Sequence, residues 1–390
     1  LILGYMIFSQ NRLLKRLAPV ALVLVILAGI WVSQTNLFRE KIMDIKDFPG
    51  GARKIVWQMA FEGWKEKPWL GWGQENFNVL FSKYFNPELP LTFDVWYDRS
   101  HNIVLDTLAT SGVLGLLSYL LISAIAILKL LKICSKISEK RNLFFPLGMI
   151  ALLTAYFVQN LFVFDMISSY MMFFLSLAFV NFLAFEKEEK TRERELPGPL
   201  IYFLGSILII LAIFTLYFGN LKPAQASKLI IVGLSSPLNQ AILAFQKALA
   251  ITPMAKFEAP EQFSRKMTGF VYDSPEDKNL VEQGMELAAG EMKKSIAQSP
   301  QDFRLKLFLG RHYNDFYNFS KDSAKLNLAL DILEKSKELS PKNQQVYWSL
   351  AQTKLLQGKT DESINLFKQA VELYPRFGQS HWYLAMVYKI

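Results

Sequence analysis

The sequence predicts an all-α protein: a polytopic bundle of transmembrane helices followed by an extracytoplasmic α-solenoid of short helical repeats. Three observations predict it. Hydrophobic residues make up 52% of the chain and aromatics 14%, at a mean hydropathy of +0.19, and most of that excess falls before Asn220. Five segments before Asn220 have the roughly 17–25 apolar residues that a membrane-crossing helix needs. After Asn220 the pattern turns charged and amphipathic, and it repeats every 34 residues.

The five spans are Leu17–Ser33, Asn102–Leu128, Leu143–Phe164, Ile167–Phe185 and Leu200–Phe218, and Leu1–Phe8 reads as the tail of a sixth. Lys and Arg in short loops set the orientation. Arg12, Lys15 and Arg16, then Lys129 to Arg141, then Lys187 to Arg194 alternate correctly with the spans, so these three loops fall on the cytoplasmic side. The opposite side receives residues 34–101, the short turn near Asp165 and everything after Asn220. The organisation expected is therefore residues 1–33 as the end of a membrane domain, 34–101 as an extracytoplasmic loop, and 102–185 as three spans. Residues 186–199 follow as a cytoplasmic linker, 200–218 as one extra span and 219–390 as the repeat domain.

In the repeat domain "KELSP" ending at Pro341 recurs as "VELYP" ending at Pro375. Tyr347, Trp348, Leu350 and Ala351 recur as His381, Trp382, Leu384 and Ala385. Period and pattern resemble tetratricopeptide repeats. The preceding unit, with Leu309, Gly310 and Tyr313, carries about seven extra residues near Asn318–Ser323. Each helix pair would bury its apolar stripe by stacking on its neighbours. His381 takes the place of Tyr347, so packing is the expected role of this histidine.

Composition excludes some chemistry. Cys134 is the only cysteine, so neither an intrachain disulfide nor a cysteine zinc site is available. The net charge of +9 is dispersed, with no block that suggests nucleic acid. No metal motif and no cofactor is expected. Leu1 opens inside an apolar run and Ile390 closes inside an amphipathic one, which reads as a chain cut at both ends.

The 68-residue loop 34–101 is rich in Trp, Phe and Tyr and holds nine acidic and nine basic residues, so phosphate binding there would need specific side chains. Residues 51–66 have a helical apolar spacing through Ile55, Val56, Met59, Ala60 and Gly63. Arg53 opens this segment, and its planar fork suits phosphate oxygens. On its own it also reads as a surface arginine that pairs with Asp47 or snorkels to a headgroup. His101 stands at the mouth of the next span; imidazole exchanges a proton near neutral pH, and a plain interfacial cap is the alternative. Arg99 is either a second phosphate ligand or the ion-pair partner of Asp98. Asp106 is an ionisable residue one turn inside a span, where such groups are costly and usually functional, with water exposure as the alternative. Gly71-Trp72-Gly73 reads as a tight turn, not a nucleotide loop.

Arg53 with Trp57 and "PWLGWG", then His101-Asn102, Leu105 and Gly112-Val113-Leu114-Gly115, resemble the C-terminal signature of the O-antigen ligase and polymerase family of membrane glycosyltransferases, over roughly Gly50 to Phe185. The resemblance implies a bacterial inner-membrane enzyme that takes a glycan from a polyprenyl-diphosphate lipid without a nucleotide sugar. It implies His101 as the catalytic residue and Arg53 at the lipid diphosphate; Arg99, Asn102 and Asp106 beside them are read as further substrate-binding residues. Basic residues on upstream spans lie outside this chain, so the piece by itself is expected to be inactive. The repeats suggest recruitment of a protein partner or acceptor. Two alternatives stay open: a glycan polymerase of the same family, and a membrane scaffold that only displays repeats.

Overall fold

The computed structural model describes residues 6–7, 13, 16–20, 22–23, 27, 49–89, 96–137, 140–185, 198–269 and 275–389. The expected helices Leu1–Phe8 and Leu17–Ser33, the start of the loop and most of the 186–199 linker lie wholly or largely outside these residues. The chain divides into two compact units, Leu1–Tyr84 with Leu89–Glu193, and Phe85–Glu88 with Arg194–Ile390.

In the first unit the loop folds as two helices. Helix α1, Pro49–Glu66, starts on a proline, whose fixed φ suits a first helical turn. It buries Val56, Met59 and Ala60 on one face. Helix α2, Phe77–Lys83, buries Phe77, Leu80 and Phe81. Burying each of these large side chains contributes roughly 1.5–3 kcal/mol. The two helices meet closely at Gly63, where a Cβ would stand 2.3 Å from the Leu80 side chain. At the rim Glu66 accepts from Lys83 Nζ (2.7 Å) and Tyr84 Oη (2.6 Å).

Helices α3 (Ile103–Lys136), α4 (Lys140–Asn160) and α5 (Ile167–Phe185) form the bundle below the loop. Their shared core is Ala126, Leu130, Leu153, Phe173 and Val180, with Tyr156 stacked on Phe173 at 4.9 Å. Cys134 packs with Leu143 and Leu147 as an inert core thiol. Outer faces stay apolar, as at Leu121, Leu152 and Leu175, which suits helices solvated by lipid. Three details differ from the sequence reading. Helix α3 continues to Lys136 and is interrupted at Gly112. Helix α4 ends at Asn160, not Phe164, leaving a non-helical turn over 161–166.

The third difference belongs to the second unit. The extra span, α6 (Gly198–Leu216), does not stop at Phe218. A π-helical turn, Tyr217–Leu221, passes it directly into α7, Lys222–Ser235. The continuous rod of 38 residues is about 57 Å long at 1.5 Å per residue. The π-turn coincides with an interface signature: Lys222 Nζ lies 4.8 Å from the Phe218 ring and 5.6 Å from Tyr217. Four described helical segments are long and apolar enough to cross a membrane: Ile103–Lys136, Asn142–Asn160, Ile167–Ala184 and Gly198–Ser235.

The remaining helices pack against their sequence neighbours in pairs. These are α7 with α8 (Leu238–Ile251), α9 (Glu258–Thr268) with α10 (Pro275–Gln298), α11 (Phe303–Ser320) with α12 (Ala324–Leu339), and α13 (Gln344–Leu356) with α14 (Thr360–Leu373). Helix α15, Gly378–Tyr388, follows. The first helices of successive pairs also touch: α9 with α11, α11 with α13, α13 with α15. Gln344 and Gly378, which open α13 and α15, are 34 residues apart. Phe303 and Gln344 are 41 apart, which accommodates the seven extra residues. Equivalent positions make equivalent bonds: Tyr347 Oη donates to the Pro341 carbonyl (2.8 Å), and His381 Nε2 donates to the Pro375 carbonyl (2.7 Å). The expected packing role of His381 is thus a capping one. His312 is buried between pairs, accepting at Nδ1 from Ser264 Oγ (2.6 Å) and donating from Nε2 to the Met285 carbonyl (2.9 Å).

Candidate active site

The site is built around the broken helix. At Gly112 the backbone takes φ 66° and ψ −168°, values that only glycine adopts without strain. An unbroken helix would bond the Ala109 and Thr110 carbonyls to the N–H groups of Val113 and Leu114. Here the "PWLGWG" segment substitutes for both sides of that ladder. Trp72 N–H donates to Ala109 O (2.9 Å) and Gly73 N–H to Thr110 O (2.8 Å). Val113 N–H donates to Pro68 O (2.8 Å) and Leu114 N–H, at a longer 3.4 Å, to Trp69 O. Backbone approaches backbone so closely that only glycine fits: a Cβ on Gly112 would meet Trp69 O at 2.2 Å, and one on Gly71 would meet the Thr110 carbonyl carbon at 2.4 Å. The glycines of both motifs therefore serve one interlock. Gln74 Nε2 adds a bond to Ser111 Oγ (2.6 Å).

Residues 103–111, ahead of the break, carry the approach to His101. Asn102 caps this short helix by accepting from the N–H groups of Val104 (3.0 Å) and Leu105 (3.1 Å). Asp106 is buried and reaches back to accept from Ser100 N–H (3.0 Å) and Arg99 Nη1 (3.2 Å). Arg99 Nη2 also pairs with Glu75, which stands in a left-handed conformation at φ 61°. Burial alone would lower the Arg99 pKa, yet Asp106 and Glu75 together carry it above its ordinary value. The ion pair of Arg99 expected with Asp98 is instead made with Asp106 and Glu75, and Asp98 acts only through its charge.

Trp57, one turn after Arg53 on α1, donates from Nε1 to the Ser100 carbonyl (2.8 Å). This bond fixes the residue before His101. His101 itself has φ 57°, a left-handed conformation that costs a non-glycine residue of order 1–3 kcal/mol. Its Nδ1 lies 3.1 Å from the Arg99 carbonyl. A carbonyl only accepts, so Nδ1 carries the proton of the neutral ring and Nε2 keeps its lone pair. Two aromatic edges hold the ring: Tyr97 at 5.5 Å and Phe164 at 5.1 Å, nearly perpendicular at 89°.

Arg53 arrives at the same place. Its Nη1 donates to the Phe162 carbonyl (3.3 Å), and its charge offsets part of the upward shift that burial imposes on the Tyr97 hydroxyl. Among the described residues Arg53 forms no salt bridge. Arg53 and His101 thus touch one turn, residues 161–166, at positions two apart. That turn is held by Asp165, which accepts from Tyr156 Oη (2.7 Å), Asn160 Nδ2 (3.1 Å) and Ser169 Oγ (2.9 Å). Sequence reasoning gave Asp165, Phe162 and Phe164 no part in the site; an acid in an otherwise apolar hairpin was the available signal. Among the described residues no three His, Cys, Asp or Glu side chains converge as metal ligands.

A comparison with individual curated proteins gives no match. The family model of the O-antigen ligases matches residues 1–120, a range that begins upstream of the expected Gly50 to Phe185 and ends within α3. The interlocked glycines, Arg53 and His101 all fall inside the matched stretch, which is similar to the O-antigen ligase domain and covers under a third of the chain.

Proposed function

We propose that the protein moves a glycan from a polyprenyl-diphosphate lipid to an acceptor outside the cytoplasm, with His101 and Arg53 as the residues that meet the reacting groups. The observation that carries this reading is the convergence of Arg53 and His101 on the turn 161–166, from positions 48 residues apart. Transfer breaks the bond between the sugar and the diphosphate and forms one to an acceptor oxygen. The departing diphosphate gains charge, which a guanidinium fork stabilises well. The acceptor hydroxyl loses a proton, which His101 Nε2 is placed to take.

Arg99, Asn102 and Asp106 act differently in this reading. Asp106 neutralises Arg99, and Asn102 spends its side-chain oxygen on helix capping. We assign these three to holding the His101 backbone. The helix pairs after Ser235, with their 34-residue period, are read as tetratricopeptide repeats that recruit an acceptor or partner protein on the same side as the loop.

The test compares wild type with His101→Ala in a host that supplies a matching lipid-linked glycan, resolving lipid-linked and transferred glycans by size. Full-length glycan accumulating on lipid is the expected result. Loss of a long ladder with single repeat units left on lipid would assign a polymerase instead. An unchanged profile at normal protein level would refute the role of His101.

A further inference from the structure

Trp69 and Leu70, at the tip of the "PWLGWG" segment, are 67% and 74% exposed. Among the described residues of the 34–101 loop, the only other exposed large hydrophobic is Phe61, at 42%. Single exposed apolar residues are ordinary, but adjacent ones at a tip mark a contact surface. What covers this tip follows from where it is held. The carbonyls of Pro68 and Trp69 accept from Val113 and Leu114, the first residues of the long part of α3. Leu114 and Leu117 there are about half exposed, on a helix apolar enough to cross a membrane. The tip thus extends the lipid-facing surface of that span sideways. Cations flank it as they do at a headgroup layer: Lys65 Nζ lies 4.9 Å from the Phe61 ring, and Lys67 Nζ 4.1 Å from the Trp72 ring.

We propose that Trp69 and Leu70 form a membrane-interface wedge, seated in the headgroup–acyl boundary of the bilayer on the loop side. Trp supplies the amphipathic ring favoured at that depth and Leu the apolar insertion. The wedge does more than anchor. Its neighbours Trp72 and Gly73 are bonded to residues 109 and 110, and Asp106 in the same short helix holds Ser100. The depth of the wedge therefore sets the depth of His101. This assignment is independent of the reaction proposed above.

A single-site label tests it. Cys134 is the only cysteine, so Cys134→Ala gives a background into which Leu70→Cys or, as an exposed control on the same loop, Asp98→Cys is placed. Each is labelled with an environment-sensitive fluorophore in the protein reconstituted in lipid nanodiscs. The expected result is that the label at 70 loses most of its emission to nitroxide-bearing lipids and resists aqueous iodide, while the label at 98 does the reverse. Iodide quenching at 70 equal to that at 98 would overturn the wedge. Protection at 70 from both quenchers would also overturn it, because a protein surface rather than lipid would then cover the tip.

Discussion

Arg53 and Arg99 stand on one loop, yet their surroundings give them opposite work. Arg99 is bonded to a buried carboxylate, and removing one member of such a pair leaves an uncompensated charge, at a cost of about 3–5 kcal/mol. Arg53 donates to a backbone carbonyl and forms no salt bridge among the described residues. Arg99→Ala is therefore expected to lower the thermal midpoint of the purified protein markedly. Arg53→Ala should leave that midpoint nearly unchanged while reducing transfer by roughly 10²–10³, the range for losing one preorganised donor at a developing anion. Equal midpoints for the two variants would contradict this division. Asp165→Ala tests the turn that both site residues touch. Three donors lose their acceptor, so activity should fall even though, among the described residues, the Asp165 side chain bonds to neither Arg53 nor His101.

At the scale of elements, the break in α3 matters more than any single span. Gly112→Ala would add strain of about 1–3 kcal/mol from φ alone, and its Cβ would drive Trp69 away from the helix. Loss of activity and earlier proteolysis within residues 64–76 are the expected outcomes. Gly205→Ala, in α6 with open space around it, is the silent control; an equal loss there would show that the effect is not the interlock. The sequence made both glycine motifs visible but not their meeting, because each reads locally as a turn or a helix. Backbone pairing across 40 residues leaves no periodicity. Likewise a cap at the head of α3 was legible only as an alternative role for His101, whereas Asn102 makes it, and the reach of Asp106 back to Arg99 depended on the left-handed turn at His101, which no pattern announces.

For the molecule as a whole, hydropathy was enough to locate the spans after residue 100, and the 34-residue period was enough to locate α13 to α15. The uninterrupted passage from α6 into α7 was hidden because polarity changes at Asn220 while helix propensity does not. The second unit also carries a pH dependence made of opposing parts. Burial pushes the His312 ring down to about 4. Between its ordinary 6.5 and that value the unfolded chain takes up a proton that the folded chain refuses, so stability falls with falling pH, by about 2 kcal/mol at pH 5. Burial also pushes the half-buried Asp315 carboxyl, despite nearby Arg311, up to about 6. Its folded form holds a proton sooner than the unfolded chain, so its contribution rises as pH falls. The two largely cancel. Asp315→Asn should expose the histidine effect as acid destabilisation of the helix pairs between pH 7 and pH 5, read by pulse proteolysis. A flat profile in that variant would argue against the neutral buried ring.

The unbroken rod from Gly198 to Ser235 has a consequence for encounter rates. A flexible tether would let the repeats sweep a hemisphere whose radius grows with the tether. A stiff helix that runs on past Phe218 to become one partner of the first pair allows only about 25 Å of rise to its end at Ser235. Under the recruiting role proposed for the repeats, a partner they hold would be confined to a thin layer over the membrane. Confinement on that length scale corresponds to millimolar local concentration, so even a weakly held partner would be presented to the membrane far more often than free diffusion allows.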